Sequence, residues 1–119
     1  MRPSDIEYDK SLRELDKGKY TGMLRGMLSS EELNNINNFG VNDKYPDGES
    51  MIDLYKRMKV YLDKFKENDV LLVTHRGVIN MFYYLLNDLE LTMDKEHFEV
   101  SHGSIHEMDI DKKLIRRIY

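Results

Sequence analysis

Thr74, His75, Arg76 and Gly77 stand between two apolar runs, VLLV at 70–73 and VINMFYYLL at 78–86. An imidazole and a guanidinium between segments that both favour the core call for an explanation. If the first run is a strand and the second a helix, His75 projects from the carboxyl end of the strand, beside the unpaired amides of a helix start. Open α/β sheets bind ligands at that position, and helix N-termini attract anions. Arg76 adds a planar cation able to fork onto phosphate oxygens. Taken singly, His75 also reads as a core or capping histidine and Arg76 as a surface cation. Their place at a strand–helix junction points instead to a phosphate site.

Other residues bear on that site. Glu14 lies in the polar, glycine-containing stretch LRELDKGKYTG (12–22). It is either an ordinary solvated carboxylate or a proton donor to a leaving oxygen, a role that burial would favour. Glu49 and Ser50, in YPDGES (45–50), read first as helix-capping residues; a hydroxyl and free amides at a helix start also suit a phosphate. His102 and His106 are four apart, a ligand spacing on a helix but not on a strand. SIHEMDI (104–110) reads as a strand, which would hold the two rings roughly 13 Å apart. No metal or organic cofactor is expected, and Glu107, Asp109 and Asp111 lack calcium-loop spacing.

The elements that must position these groups can be read from the rest of the chain. Its 119 residues suit one domain, 1–119. With 40% hydrophobic and 34% charged residues it has the composition of a globular protein rather than a disordered one. A net charge of −4 and scattered basic residues argue against nucleic acid. The absence of cysteine excludes disulfides and thiolate catalysis. No apolar run approaches the roughly 18 residues of a membrane span, so a cytoplasmic location without membrane contact is expected.

The stretch to Leu28 is charged and glycine-rich, an irregular loop with a short helical turn. Ser29 with Glu32 forms a capping-box pattern for a short helix stopped by Gly40. Ser50 with Asp53 opens a longer helix over about 50–67, with Ile52, Tyr55, Met58, Leu62 and Phe65 at helical spacing and Asn68-Asp69 at its end. Val70–Thr74 fits a strand buried on both faces, and a helix follows over about Gly77–Asn87, its MFYYLL stripe belonging to the core. A short extended stretch at 98–101 precedes a hairpin of 104–110 and 113–118, turning at Asp111-Lys112. The order loop–α–loop–α–β–α–β–β predicts a three-layer α/β/α domain. Its sheet is incomplete, because a strand as apolar as 70–74 wants neighbours on both sides and this chain offers few.

Four segments, in order, resemble the second half of a histidine phosphatase, of the phosphoglycerate mutase-like superfamily. LRELDKGKYTG (12–22) is similar to its Leu-Arg-Glu loop, and YPDGES (45–50) with Arg57 to its Gly-Glu-Ser…Arg element. VLLVTHRGVI (70–79) resembles its second histidine motif, and SHGSIHEMDI (101–110) its closing strand. The resemblance implies a phosphoglycerate mutase-like fold lacking its N-terminal strands. It makes His75 the second histidine of the pocket, holding the transferred phosphoryl group, and Glu14 the acid/base. Ser50 and Glu49 shape and brace the rim, and Arg76 stands where the family usually has glycine.

The family's activity, phosphoryl transfer or phosphomonoester hydrolysis through a phosphohistidine, needs an Arg-His-Gly nucleophile motif. That motif is absent here. Ser101-His102-Gly103 imitates it only superficially, out of order and before the wrong strand. The expectation is therefore a family member acting on a phosphorylated small molecule but inactive as a single chain. Its activity would await a complementing N-terminal chain joined at an exposed sheet edge. The alternative is a non-catalytic truncated relative that forms a homodimer over that edge or binds phosphorylated small molecules.

Overall fold

The structure is a computed structural model and describes residues 5–66, 69–94 and 96–119. Three helices and a two-stranded antiparallel sheet form an α/β architecture: α1 (Ser30–Asn37), α2 (Met51–Lys64), α3 (Arg76–Leu86), β1 (His106–Asp109) and β2 (Leu114–Arg117). Both capping boxes form. Ser29 Oγ accepts the Glu32 N–H while the Glu32 carboxylate accepts the Ser29 N–H, and Ser50 and Asp53 repeat the exchange at α2. Each box satisfies two helix-start amides that would otherwise lack partners. The loop before α1 contains short 3₁₀ turns at Lys10–Leu12, Gly18–Tyr20 and Arg25–Met27.

The core lies between α2 and α3. Leu54, Met58 and Leu62, four apart, form one stripe of α2 against Val78, Met81, Phe82, Tyr84 and Leu86 of α3. Burying each such side chain contributes roughly 1.5–3 kcal/mol. The buried stripe is rotated from the expected one: Leu54 replaces Ile52 and Tyr55, which stay only partly buried at its margins. The helix also ends earlier, at Lys64; of the expected stop, Asn68 lies outside the described residues. The 81–86 stripe is core, as expected. α1 buries no residue and attaches through its flanks, where Phe39 meets Tyr45 edge-on.

The strand expected at 70–74 does not form a ladder. Among the described residues, none of its backbone groups bonds to another backbone group, and the sheet contains β1 and β2 alone. The segment is also not buried on both faces. Exposure alternates from Leu71 to His75, the period-two pattern of an extended chain. Leu72 packs on the core, while Leu71 and Val73 are 66% and 84% exposed. Apolar, β-branched residues favour an extended backbone, but a ladder requires a second strand within about 5 Å. No strand forms at 98–101 either.

The terminal hairpin forms as expected, in a narrower span. His106 faces Arg117 and Asp109 faces Leu114 across the ladder. The turn closes through the Lys113 N–H to the Ile110 carbonyl, 3.2 Å. Lys113 itself takes a left-handed conformation, φ 53°.

Candidate functional site

The site is built where the loop 9–16 crosses the start of α3. Arg57, on α2, holds that loop. Its Nη1 donates to the carbonyls of Ser11 at 2.7 Å and Arg13 at 2.8 Å, and its Nη2 reaches the Glu14 carbonyl at 3.4 Å. The same guanidinium forks onto Glu49, Nε to Oε2 at 3.2 Å and Nη2 to Oε1 at 2.9 Å. Both side chains are largely buried, so each depends on the other for neutralisation. Glu49 Oε1 also accepts the Asp16 N–H at 2.9 Å, and the Glu49 N–H donates to the Asp16 carbonyl at 2.8 Å. From the other side, Thr74 Oγ1 donates to the Leu12 carbonyl at 2.7 Å.

Two glycines let the loops lie this close. Gly18 has φ +50°, and any side chain there would run into the backbone of Pro46 and Asp47. Gly48 faces it, with the Asp16 carbonyl equally near. The Lys19 N–H to Pro46 carbonyl bond, 2.8 Å, completes the interlock.

Held in this way, half-buried Glu14 turns its carboxylate onto the start of α3. Its Oε2 accepts the Gly77 N–H at 3.2 Å and its Oε1 accepts the Leu15 N–H at 2.8 Å. His75 is the N-cap residue of α3, in an extended conformation (φ −110°, ψ 157°), and makes no side-chain capping bond. Its ring is left exposed. A carboxylate from a distant loop therefore does the capping that His75 does not. The positive end of the helix dipole favours the negative charge there. A side chain at Gly77 would occupy the space of the Glu14 carboxylate and displace it from this position.

The structure brings His75 and Glu14 together at one helix start, with Glu49 bracing the loop from beneath. Ser50 lies deeper, 1% exposed, its hydroxyl engaged with the Asp53 N–H at 3.2 Å. Arg76 turns toward the segment before β1: Nε donates to the Val100 carbonyl at 2.8 Å and Nη2 meets Glu96 Oε1 at 2.7 Å. Arg57 entered the sequence reading only as part of a motif. Its role as the hub that orients Glu14 rests on three carbonyl contacts across more than forty residues, and no local pattern announces these.

A second histidine arrangement lies at the hairpin. His106 Nε2 is 2.8 Å from Ser104 Oγ, and Nδ1 is 2.6 Å from the Tyr83 hydroxyl. The pairing has the spacing of a nucleophile and its base, yet the Ser104 hydroxyl donates to the Ser101 carbonyl at 2.7 Å. Ser104 must then accept from Nε2–H, leaving Nδ1 to accept from Tyr83. That serine is closing a turn rather than awaiting a substrate. Burial, with Arg117 adding to it, holds the His106 imidazole below its ordinary range. His102 is exposed on the turn made by Gly103 at φ +78°. Among the described residues no three His, Cys, Asp or Glu side chains gather around a potential metal position, and no helix is long and apolar enough to cross a membrane.

The chain is thus an α/β protein in which an exposed histidine and an oriented carboxylate stand at one helix start. A family model of the histidine phosphatase superfamily (branch 1) matches residues 1–116, and the chain belongs to that superfamily. The comparison with curated proteins and that with solved structures each return no match.

Proposed function

We propose that the start of α3 binds the phosphoryl group of a phosphorylated small molecule, with His75 as the gripping cation and donor and Glu14 as the proton donor to the leaving oxygen. The observation that carries this reading is the Glu14 carboxylate on the Gly77 amide, two residues along the chain from the exposed His75. The positive helix end that favours this carboxylate also favours phosphate oxygens. Membership in the histidine phosphatase superfamily supports phosphatase- or mutase-type chemistry at this point.

Phosphoryl transfer in that chemistry needs a nucleophilic imidazole, and the 119 residues contain no Arg-His-Gly. On our reading the chain by itself binds a phosphomonoester without hydrolysing it. Glu14 at the helix start also favours a second reading, in which that residue is only a cap and the protein is a non-catalytic relative.

Inorganic phosphate titrated into isotope-labelled protein should shift the His75 ring and the Gly77 amide together, and His75→Ala should abolish the Gly77 response. Silence at both positions would overturn the binding site. Turnover of p-nitrophenyl phosphate by the purified chain is expected to be nil; turnover that disappears in His75→Ala would overturn the inactivity. If the chain is mixed with a polypeptide that restores turnover, a full rate for Glu14→Gln would favour the capping role alone.

A further inference from the structure

A cleft of about 400 Å³ opens between the carboxyl half of α1 and the loop at 43–46. That volume is within the range of small-molecule sites, roughly 300–1,000 Å³. The space exists because α1 buries no residue, so no side chain of the helix fills the gap beneath it. Two aromatic rings line the cleft, Tyr20 and Phe39. They meet Tyr45 nearly at right angles, 79° and 73° between planes, with centroids 6.2 and 5.2 Å away. Among the described residues neither is stacked on another ring, and both are partly exposed, so stacking surface is left for a ligand.

The polar lining is selective in kind. The Asn35 side chain makes no hydrogen bond among the described residues. Asn38 donates its Nδ2 to Asn34, to the carbonyl at 2.9 Å and Oδ1 at 3.2 Å, which leaves its own Oδ1 to accept. The charged groups are already engaged. Asp43 Oδ2 accepts the Gly40 N–H at 2.6 Å, and Lys44 Nζ lies 3.4 Å from Asp53 Oδ2. One acid and one base therefore line the cleft with no net preference for an ion, whereas rings and carboxamides remain available.

We infer that this cleft binds a neutral, planar heteroaromatic ring with a donor and an acceptor on one edge, the chemistry of a nucleobase. The flat face stacks against the Phe39 and Tyr20 rings. The Asn35 carboxamide, donor and acceptor side by side, reads the edge as asparagine reads adenine in nucleic acid. A sugar ring has the hydroxyls but no flat face, and a plain hydrocarbon leaves the carboxamides unanswered. The inference is independent of the phosphate reading: the cleft shares no residue with the α3 start, and its test uses a probe without phosphate.

The probe is adenosine, titrated into isotope-labelled protein and read at the side-chain amides of Asn35 and Asn38. The expected result is saturable shifts at both, with the His75 ring unmoved and the adenine protons displaced upfield by the aromatic rings. Phe39→Leu keeps an apolar side chain but removes the stacking face, and should weaken binding about tenfold. Asn35→Ala, at an exposed position, should weaken it about fivefold. The backbone amide spectra of both variants report that the fold is retained. Absence of saturable shifts, unchanged affinity in either variant, or equal shifts from methyl glucoside would overturn the inference.

Discussion

The Glu14 carboxylate receives the amide of Gly77, 63 residues further along the chain, and so caps the helix that His75 begins. A local cap is a matter of three residues, and a cap from this distance is a tertiary contact. The seated 9–16 loop consequently adds the stability of one cap to the helix start. The two candidate site residues are then set in position by one event rather than two.

Gly77→Ala tests this coupling. The added methyl displaces the carboxylate. Loss of the cap costs about 1 kcal/mol, and the better helix propensity of alanine returns a similar amount. The expected outcome is a nearly unchanged urea midpoint with a Glu14 side chain that no longer responds to phosphate. A large fall in stability would show that Gly77 is packed against something other than Glu14.

Arg57→Ala removes the guanidinium that binds Glu49 and the carbonyls of Ser11 and Arg13. It leaves the Glu49 charge largely buried, and destabilisation of about 3 kcal/mol is expected from urea unfolding. Arg57→Lys should recover only a minor part, because an ammonium cannot fork onto a carboxylate and reach two carbonyls at once. Equal stability of the lysine variant would refute the fork as the important feature.

Ser50→Ala should lower stability by about 1 kcal/mol through loss of the α2 cap. Phosphate-induced shifts at His75 should persist unchanged, since the Ser50 hydroxyl is buried and already engaged. A weakened phosphate response in this variant would place Ser50 at the ligand instead.

His106 makes stability depend on pH in a defined direction. Burial lowers its folded-state pKa, so below about pH 6.5 the unfolded chain binds more protons than the folded one. Stability therefore falls as pH drops through that window, and levels off once the folded-state ring is also protonated. The difference in stability between wild type and His106→Gln, followed by urea unfolding, should shrink as pH falls from 7. A pH-independent difference would mean that the ring is not held neutral.

Local chemistry was legible in the residues. Ser29 with Glu32 and Ser50 with Asp53 each complete their bonds within four positions, so the pattern and the structure coincide. Asp111-Lys112 turns the hairpin for the same reason, and the apolar stripe at 81–86 is buried because so many large side chains in succession cannot all avoid the core. The alternation from Leu71 to His75 shows its extended preference too, yet preference did not make a strand. A ladder is a bond between two segments, and β-propensity supplies only one of them.

What the sequence by itself determined is therefore the set of helices, the hairpin, and the resemblance that singles out His75 and Glu14. Only the tertiary structure decided that these two come to one helix start, that Arg57 holds the loop in place, that Arg76 turns to Glu96, and that 70–74 stays without a ladder among the described residues. Capping and helical periodicity act over a few residues, through bonds that the chain can make with itself as it turns. The Arg57 contacts and the Glu14 cap span more than forty residues, and packing settles which partners come within reach.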